Sequence, residues 1–227
     1  MSMSGKITKK ELKAPDFLQV EMSKLLIYYD RHKSIIFGLL ALILLILAIS
    51  GGWSLYRFNY EKSAFKLYNQ LEAVSLTGVG AEQSARLLAG YQNVTVKYPH
   101  SKAGLYALYQ LGNQSFHLKQ YNKSLQAYDE FLKKADSQNF LKIFAYTGRG
   151  YCYEGMNNLQ KSLEAFEMAL KMQEGRELAA QIYGDMARIY VKMNDLKKSR
   201  EYYGKALEKS KDRNMVAILQ RKIAAIH

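Results

Sequence analysis

Proline and cysteine are nearly missing from this chain of 227 residues, which has 2 of the first and 1 of the second. A single thiol, Cys152, excludes an internal disulfide framework, and without a CxxC pair or a Cys/His cluster the sequence offers no zinc site. It does not fix a redox compartment. The low proline content leaves no Pro-rich linker, and 48% hydrophobic against 23% charged residues excludes a disordered chain. Histidine is scarce as well: His32, His100, His117 and His227 are far apart, and the chain contains neither HExxH nor GxSxG. The segment "TGVGAEQSA" around Gly78 and Gly80 has the glycines of a phosphate loop but neither its lysine nor a strand before it. It is expected to be a turn between helices. The expectation is therefore a protein that is not an enzyme, with no catalytic residue, no metal, no cofactor and no small-molecule substrate.

Positive charge is plentiful. The net charge is +13, but the 33 Lys and Arg stand singly or in pairs with acids between them. That pattern suits solvated helix faces or attraction to anionic lipid better than a nucleic-acid surface, so no nucleic-acid partner is expected. Charge disappears altogether over "SIIFGLLALILLILAISGGWSLY", Ser34 to Tyr56, where 23 residues separate Lys33 from Arg57. A helix needs ~20 to cross ~30 Å of hydrocarbon, so this run is expected to be a transmembrane anchor. Arg31, His32 and Lys33 flank it on one side and Trp53 and Tyr56 stand near its other end, as a basic flank and an interfacial aromatic belt would. Ala48 and Ser50 before Gly51 offer a signal-peptidase site, which keeps cleavage open, although 33 residues ahead of the run are too many for an ordinary basic leader. The short flank carries Lys6, Lys9, Lys10, Lys13, Lys24, Arg31 and Lys33, which orients the N-terminus to the cytoplasm and the rest of the chain outside, in a bacterium the periplasm. Within it, "APDFLQVEMSKLLIYYDRHK" reads as a helix starting at Pro15 and Asp16 with an apolar stripe of Leu18, Met22, Leu25 and Tyr29. Either it is a short amphipathic helix on the inner leaflet or it continues into the span. The expected domains are residues 1–33, 34–56 and 57–227.

Beyond Arg57 the periodicity is helical throughout, and one helix is written three times: "QYNKSLQAYDEFLKKA", "NLQKSLEAFEMALKM" and "DLKKSREYYGKALEKS". Aligned on Ser124, Ser162 and Ser199, the copies are spaced by 38 and 37 residues, each serine following Lys123, Lys161 or Lys198. Four residues on come Tyr128, Phe166 and Tyr203, and seven on Phe131, Ala169 and Ala206; twelve residues upstream stand Gly112, Gly150 and Ala187. A small residue in a first helix, another in a second and a large ring one turn later are what two closely packed antiparallel helices require. The pattern resembles the tetratricopeptide repeat over roughly residues 61–211. It departs from that repeat in having serine at the usual second alanine and a period longer than the family's ~34 residues. Leu87, Tyr91 and Pro99 mark an earlier, degenerate copy, and "RNMVAILQRKIAAIH" reads as the capping helix of such an array. The expected fold is all-α, a helical-hairpin solenoid behind a transmembrane helix.

The resemblance implies a peptide-binding groove along the first helix of each pair. Its inward positions are Tyr106, Tyr109, Asn113, Phe116 and His117, then Phe144, Thr147, Tyr151 and Glu154, then Gln181, Gly184, Arg188 and Lys192. Tyr109 and Thr147 stand where the family's carboxylate clamp needs lysine, so that clamp is not expected although Asn113 and Arg188 match it loosely. The groove is expected to be aromatic toward Tyr106 and basic toward Arg188 and Lys192, with about half of its rings serving as core instead. The layout of basic flank with "PDF", one anchor and exported repeats resembles the YfgM-like ancillary subunits of the Sec translocon. That resemblance implies protein partners, namely the translocon, a periplasmic chaperone or an exported chain, at a bacterial inner membrane. The "YP.S..A" run from Tyr98 to Ala103 is shared with other envelope repeat proteins, which keeps a scaffold role in an outer-membrane assembly, secretion or division complex as the alternative.

Overall fold

The structure, a computed structural model, describes residues 17–75, 80–172 and 178–226. The turn expected around Gly78 and the helix start at Pro15 lie outside them. Among the described residues there are helices only: α1 (Phe17–Ser75), α2 (Ala81–Lys97), α3 (Lys102–His117), α4 (Tyr121–Lys134), α5 (Leu141–Gly155), α6 (Leu159–Leu170), α7 (Ala179–Lys192), α8 (Leu196–Lys209) and α9 (Arg213–Ala224). The chain forms two compact units, Met1–Phe58 and Asn59–His227.

In the first unit the apolar side chains from Leu39 to Ile49 are exposed, and the helix contains a stretch of mean hydropathy 2.8. By length and composition this helix can cross a membrane. A separate short helix over the residues before Ser34 does not occur: α1 continues unbroken through that point and past Arg57. The physical reason is that nothing between Phe17 and Ser75 interrupts it. Proline is absent there, and Gly38, Gly51 and Gly52 each cost only ~1 kcal/mol of helix propensity.

The second unit is a row of helical hairpins. After Asn59, α1 packs Leu67, Tyr68 and Leu71 against Leu87, Tyr91 and Val94 of α2. The small residue at this crossing is Gly90, on the second helix of the pair, where Leu71 fills the space a side chain would take. The three regular hairpins, α3 with α4, α5 with α6 and α7 with α8, share a different crossing. Ser124, Ser162 and Ser199 are completely buried. The Ser124 hydroxyl donates to the Gly112 carbonyl and the Ser162 hydroxyl to the Gly150 carbonyl, both at 2.8 Å, which ties the second helix to the first in two of the hairpins, whereas the Ser199 hydroxyl in the third has no hydrogen-bond partner. This bond gives serine a role that alanine could not fill at Ser124 and Ser162. The ring one turn later closes the contact: a Cβ at Gly112 would stand 2.5 Å from Tyr128, and one at Gly150 would stand 2.8 Å from Phe166.

The turns within these hairpins repeat as closely as the crossings. Lys119, Asn157 and Asn194 all take left-handed backbone, with φ of 58°, 60° and 60°. Each stops its helix with the paired bonds of a Schellman motif, as Gln120 N–H donating to Ser115 and Lys119 N–H donating to Phe116 illustrate. Asparagine adopts this conformation at lower cost than lysine. The Asn158 and Asp195 side chains then cap α6 and α8, whereas α4 has no side-chain cap. Lys119→Asn is therefore expected to stabilise the protein by up to about 1 kcal/mol, read as a raised thermal midpoint. A lowered midpoint would show that the Lys119 side chain contributes more than its backbone costs.

Candidate functional site

The predicted groove positions lie on α3, α5 and α7, one face of which forms a chain of contacts from hairpin to hairpin. Tyr106 is half-buried, its ring centroid 6.3 Å from those of Phe65 and Tyr68. Asn113 accepts from the Tyr128 hydroxyl at 2.7 Å and donates to Gln110 at 2.9 Å, so its amide is engaged within the fold. Phe116 packs on Tyr121 and reaches Tyr151 on the next hairpin, with centroids 5.9 and 6.3 Å apart. Tyr109 and Tyr151 are half-buried and pack against rings of the fold. Tyr109 lies against Tyr128 and Phe131, at 6.1 and 5.7 Å. Tyr151 lies edge-on to Phe166 at 5.3 Å and donates its hydroxyl to Asp185 at 2.7 Å. Burial and, for Tyr151, the nearby Asp185 carboxylate raise both phenols above their usual pKa, so neither ionises near neutrality. Phe144 is the exposed ring of the set, at 39%.

The basic end differs from expectation. Arg188 pairs with Glu154 and, at 2.7 Å, with Asp185, while Lys192 pairs with the same Glu154 at 2.7 Å. The Glu154 side chain is 9% exposed and held between the two cations. Burial works to raise its pKa, but hydrogen bonds and charge from Arg188 and Lys192 outweigh burial and hold it below the ordinary carboxylate value. The positive charge predicted for this end is thus neutralised within the fold. Gln181 and Gly184 line a cleft of about 330 Å³ together with Asp185, Arg188 and residues of α9 such as Met215 and Ile218. No group of three or more His, Cys, Asp or Glu able to hold a metal occurs among the described residues. Sequence reasoning named Glu154 without its role and missed Asp185. The signal for the second was local, since Asp185 stands three residues before Arg188 on one helix.

Comparison with known proteins agrees with this geometry. Residues 145–212, which span α5 to α8, match the model of the tetratricopeptide repeat. No curated protein sequence matches the chain. Among solved structures it is similar to MamA of Desulfovibrio magneticus RS-1 (residue 41 to its end) at 21% identity and a TM-score of 0.54, covering 64% of this chain and 75% of that one. A MamA RS-1 double mutant gives 22% identity and 0.54, over 64% and 74%, and a third MamA structure 20% and 0.54, over 64% and 72%. Identities this low establish the fold, an all-helical solenoid of the tetratricopeptide type. Such repeats are in general scaffolds rather than catalysts, and their presence here implies protein–protein interaction.

Proposed function

We propose that the protein is a membrane-anchored adaptor that holds extended segments of exported polypeptides, or the chaperones escorting them, beside the translocation channel of a bacterial inner membrane. The reading keeps the layout that resembles the YfgM-like translocon subunits: N-terminus in the cytoplasm, α1 in the membrane, hairpins in the periplasm. The observation that carries it is the exposed ring of Phe144 among the half-buried aromatic residues of the first helices. Tyr106, Tyr109 and Tyr151 are half-buried against other rings and Arg188 and Lys192 are engaged in ion pairs, whereas Phe144 is exposed. With the cations neutralised, this surface suits uncharged and apolar segments rather than acidic ones.

The test is a photo-crosslinking residue in place of Phe144 in intact cells, compared with one in place of Glu164 on the exposed face of α6, followed by alkaline extraction of the membranes. Adducts with exported chains or periplasmic chaperones are expected from position 144, retained in the stripped membranes. Phe144→Ala is expected to reduce capture from position 106 while changing stability by less than ~0.5 kcal/mol, because an exposed ring supports little packing. Release of the intact chain from the membrane would overturn the anchor. Capture from position 164 alone would overturn the groove and favour a scaffold subunit of an envelope machine.

A further inference from the structure

The three regular hairpins diverge at one position, buried in the first and third and half-buried in the second. Nine residues before the buried serine stand Tyr153 and Tyr190 in the second and third hairpins, but Ser115 in the first. In both later hairpins the lysine preceding that serine lies over the tyrosine ring, Lys161 over Tyr153 at 5.8 Å and Lys198 over Tyr190 at 5.3 Å. Tyr190 is buried, and belongs to the core shared by α6 and α7. The first hairpin keeps the equivalent cation, Lys123, but among the described residues no ring lies beneath it. In place of the ring is a cleft of about 300 Å³ between α2, α3 and α4, lined by Leu88, Leu108, Leu111, Ala127, Ser115 and Lys123 among others. Val96 stands at the same cleft and is 74% exposed. Ser115 is 1% exposed and its hydroxyl has no hydrogen-bond partner.

A buried hydroxyl without a partner is costly, and the leucines of this cleft, which Gln92, Thr95, Gln126 and Glu130 also line, forfeit packing where it stands open. Both deficits vanish if a ring with a polar tip enters. We propose that this cleft is a docking site for a tyrosine side chain presented by a partner polypeptide, its ring seated under Lys123 and its hydroxyl bonded to Ser115. The other two hairpins fill the equivalent position with tyrosines of the chain itself, which defines the chemistry of the missing occupant. Tyrosine is suited to such an anchor because it brings a large rigid ring and one hydrogen-bonding group, and the lysine adds a cation–π contact. The site is separate from the surface around Phe144, so it stands or falls independently of the adaptor reading.

The experiment titrates N-acetyl-tyrosinamide onto the full-length protein in detergent, observed by saturation-transfer NMR, with N-acetyl-phenylalaninamide as the comparison. The tyrosine derivative is expected to bind in the millimolar range, about tenfold more tightly than the phenylalanine derivative. Lys123→Met is expected to weaken it about threefold. Ser115→Tyr, which gives the first hairpin the residue of the other two, is expected to abolish binding and to raise the thermal midpoint. No binding to the unmodified protein, or binding that Ser115→Tyr leaves intact, would overturn the site. Should Ser115→Tyr fail to fold, undiminished binding to Lys123→Met would overturn it in its place. Equal binding of the two derivatives would overturn the assignment to tyrosine. A dimer that dissociates in the Ser115→Tyr variant would seat a second copy of this chain there and overturn the assignment to a foreign partner.

Discussion

Gly150→Leu is expected to destabilise the protein by about 3 kcal/mol, a fall in the thermal midpoint on the order of 6–12 °C. The magnitude follows from what occupies the space. A bare Cβ at Gly150 would already stand 2.8 Å from two carbons of the Phe166 ring, closer than such atoms approach, and the larger side chain extends further into it. Phe166 has nowhere to retreat, being completely buried in a cluster with Ile143, Leu163, Ile182, Met186 and Ile189. Relieving the clash must then separate α5 from α6, which also stretches the 2.8 Å bond between the Ser162 hydroxyl and the Gly150 carbonyl. Gly204 provides the contrast. It is exposed on α8 and a Cβ there would meet nothing within 4 Å, so Gly204→Ala is expected to be neutral or stabilising by up to ~1 kcal/mol. The pair is read by thermal unfolding followed by circular dichroism. An unchanged midpoint for Gly150→Leu would mean that the helices cross elsewhere.

The crossing was legible in the sequence because it depends on residue size at fixed offsets along two helices, and Gly150, Ser162 and Phe166 declare it without knowledge of anything outside the hairpin. The long apolar run was legible for the same local reason. Where α1 ends was not, since no proline or glycine pair separates residue 57 from the hairpins and periodicity alone cannot place a boundary inside continuous helix. The turns were readable and went unread: Asn157 and Asn194 recur at the repeat period, and asparagine in that setting marks left-handed backbone. The groove was only partly legible, because the sequence places Tyr106, Tyr109 and Tyr151 on the same face of their helices. Whether a ring on that face becomes core or surface depends on how far one hairpin is rotated against the next. Tyr109 packs on Phe131 within its own hairpin, whereas the placing of Phe116 against Tyr151 of the next hairpin depends on that rotation, which no single helix encodes. The same offset sets Glu154 opposite Arg188, 34 residues later.

Removing that acid should have the second large effect. Glu154→Gln is expected to cost about 1–3 kcal/mol near neutral pH, less than the breaking of a fully buried pair because the Arg188 and Lys192 side chains remain 32% and 48% exposed. The pH dependence identifies the charge as the cause. In the folded protein the Glu154 carboxyl titrates below its ordinary value of 4.5. The ionised carboxylate therefore contributes its full stability above the unfolded value, and that contribution is lost as the pH falls through the lower, folded value. The difference in midpoint between the unmodified protein and the Gln variant should accordingly be largest above about pH 6 and shrink steadily toward about pH 3. A difference that stayed constant over that range would attribute the loss to shape rather than charge. The variant also bears on selectivity at the inner face. With Glu154 neutral, Arg188 keeps only Asp185 and Lys192 loses its partner, so capture of acidic segments from position 144 should rise relative to apolar ones. Glu154 would then act both as the brace between two hairpins and as the group that withholds this surface from acidic chains. An unaltered preference in the variant would leave it the first role alone.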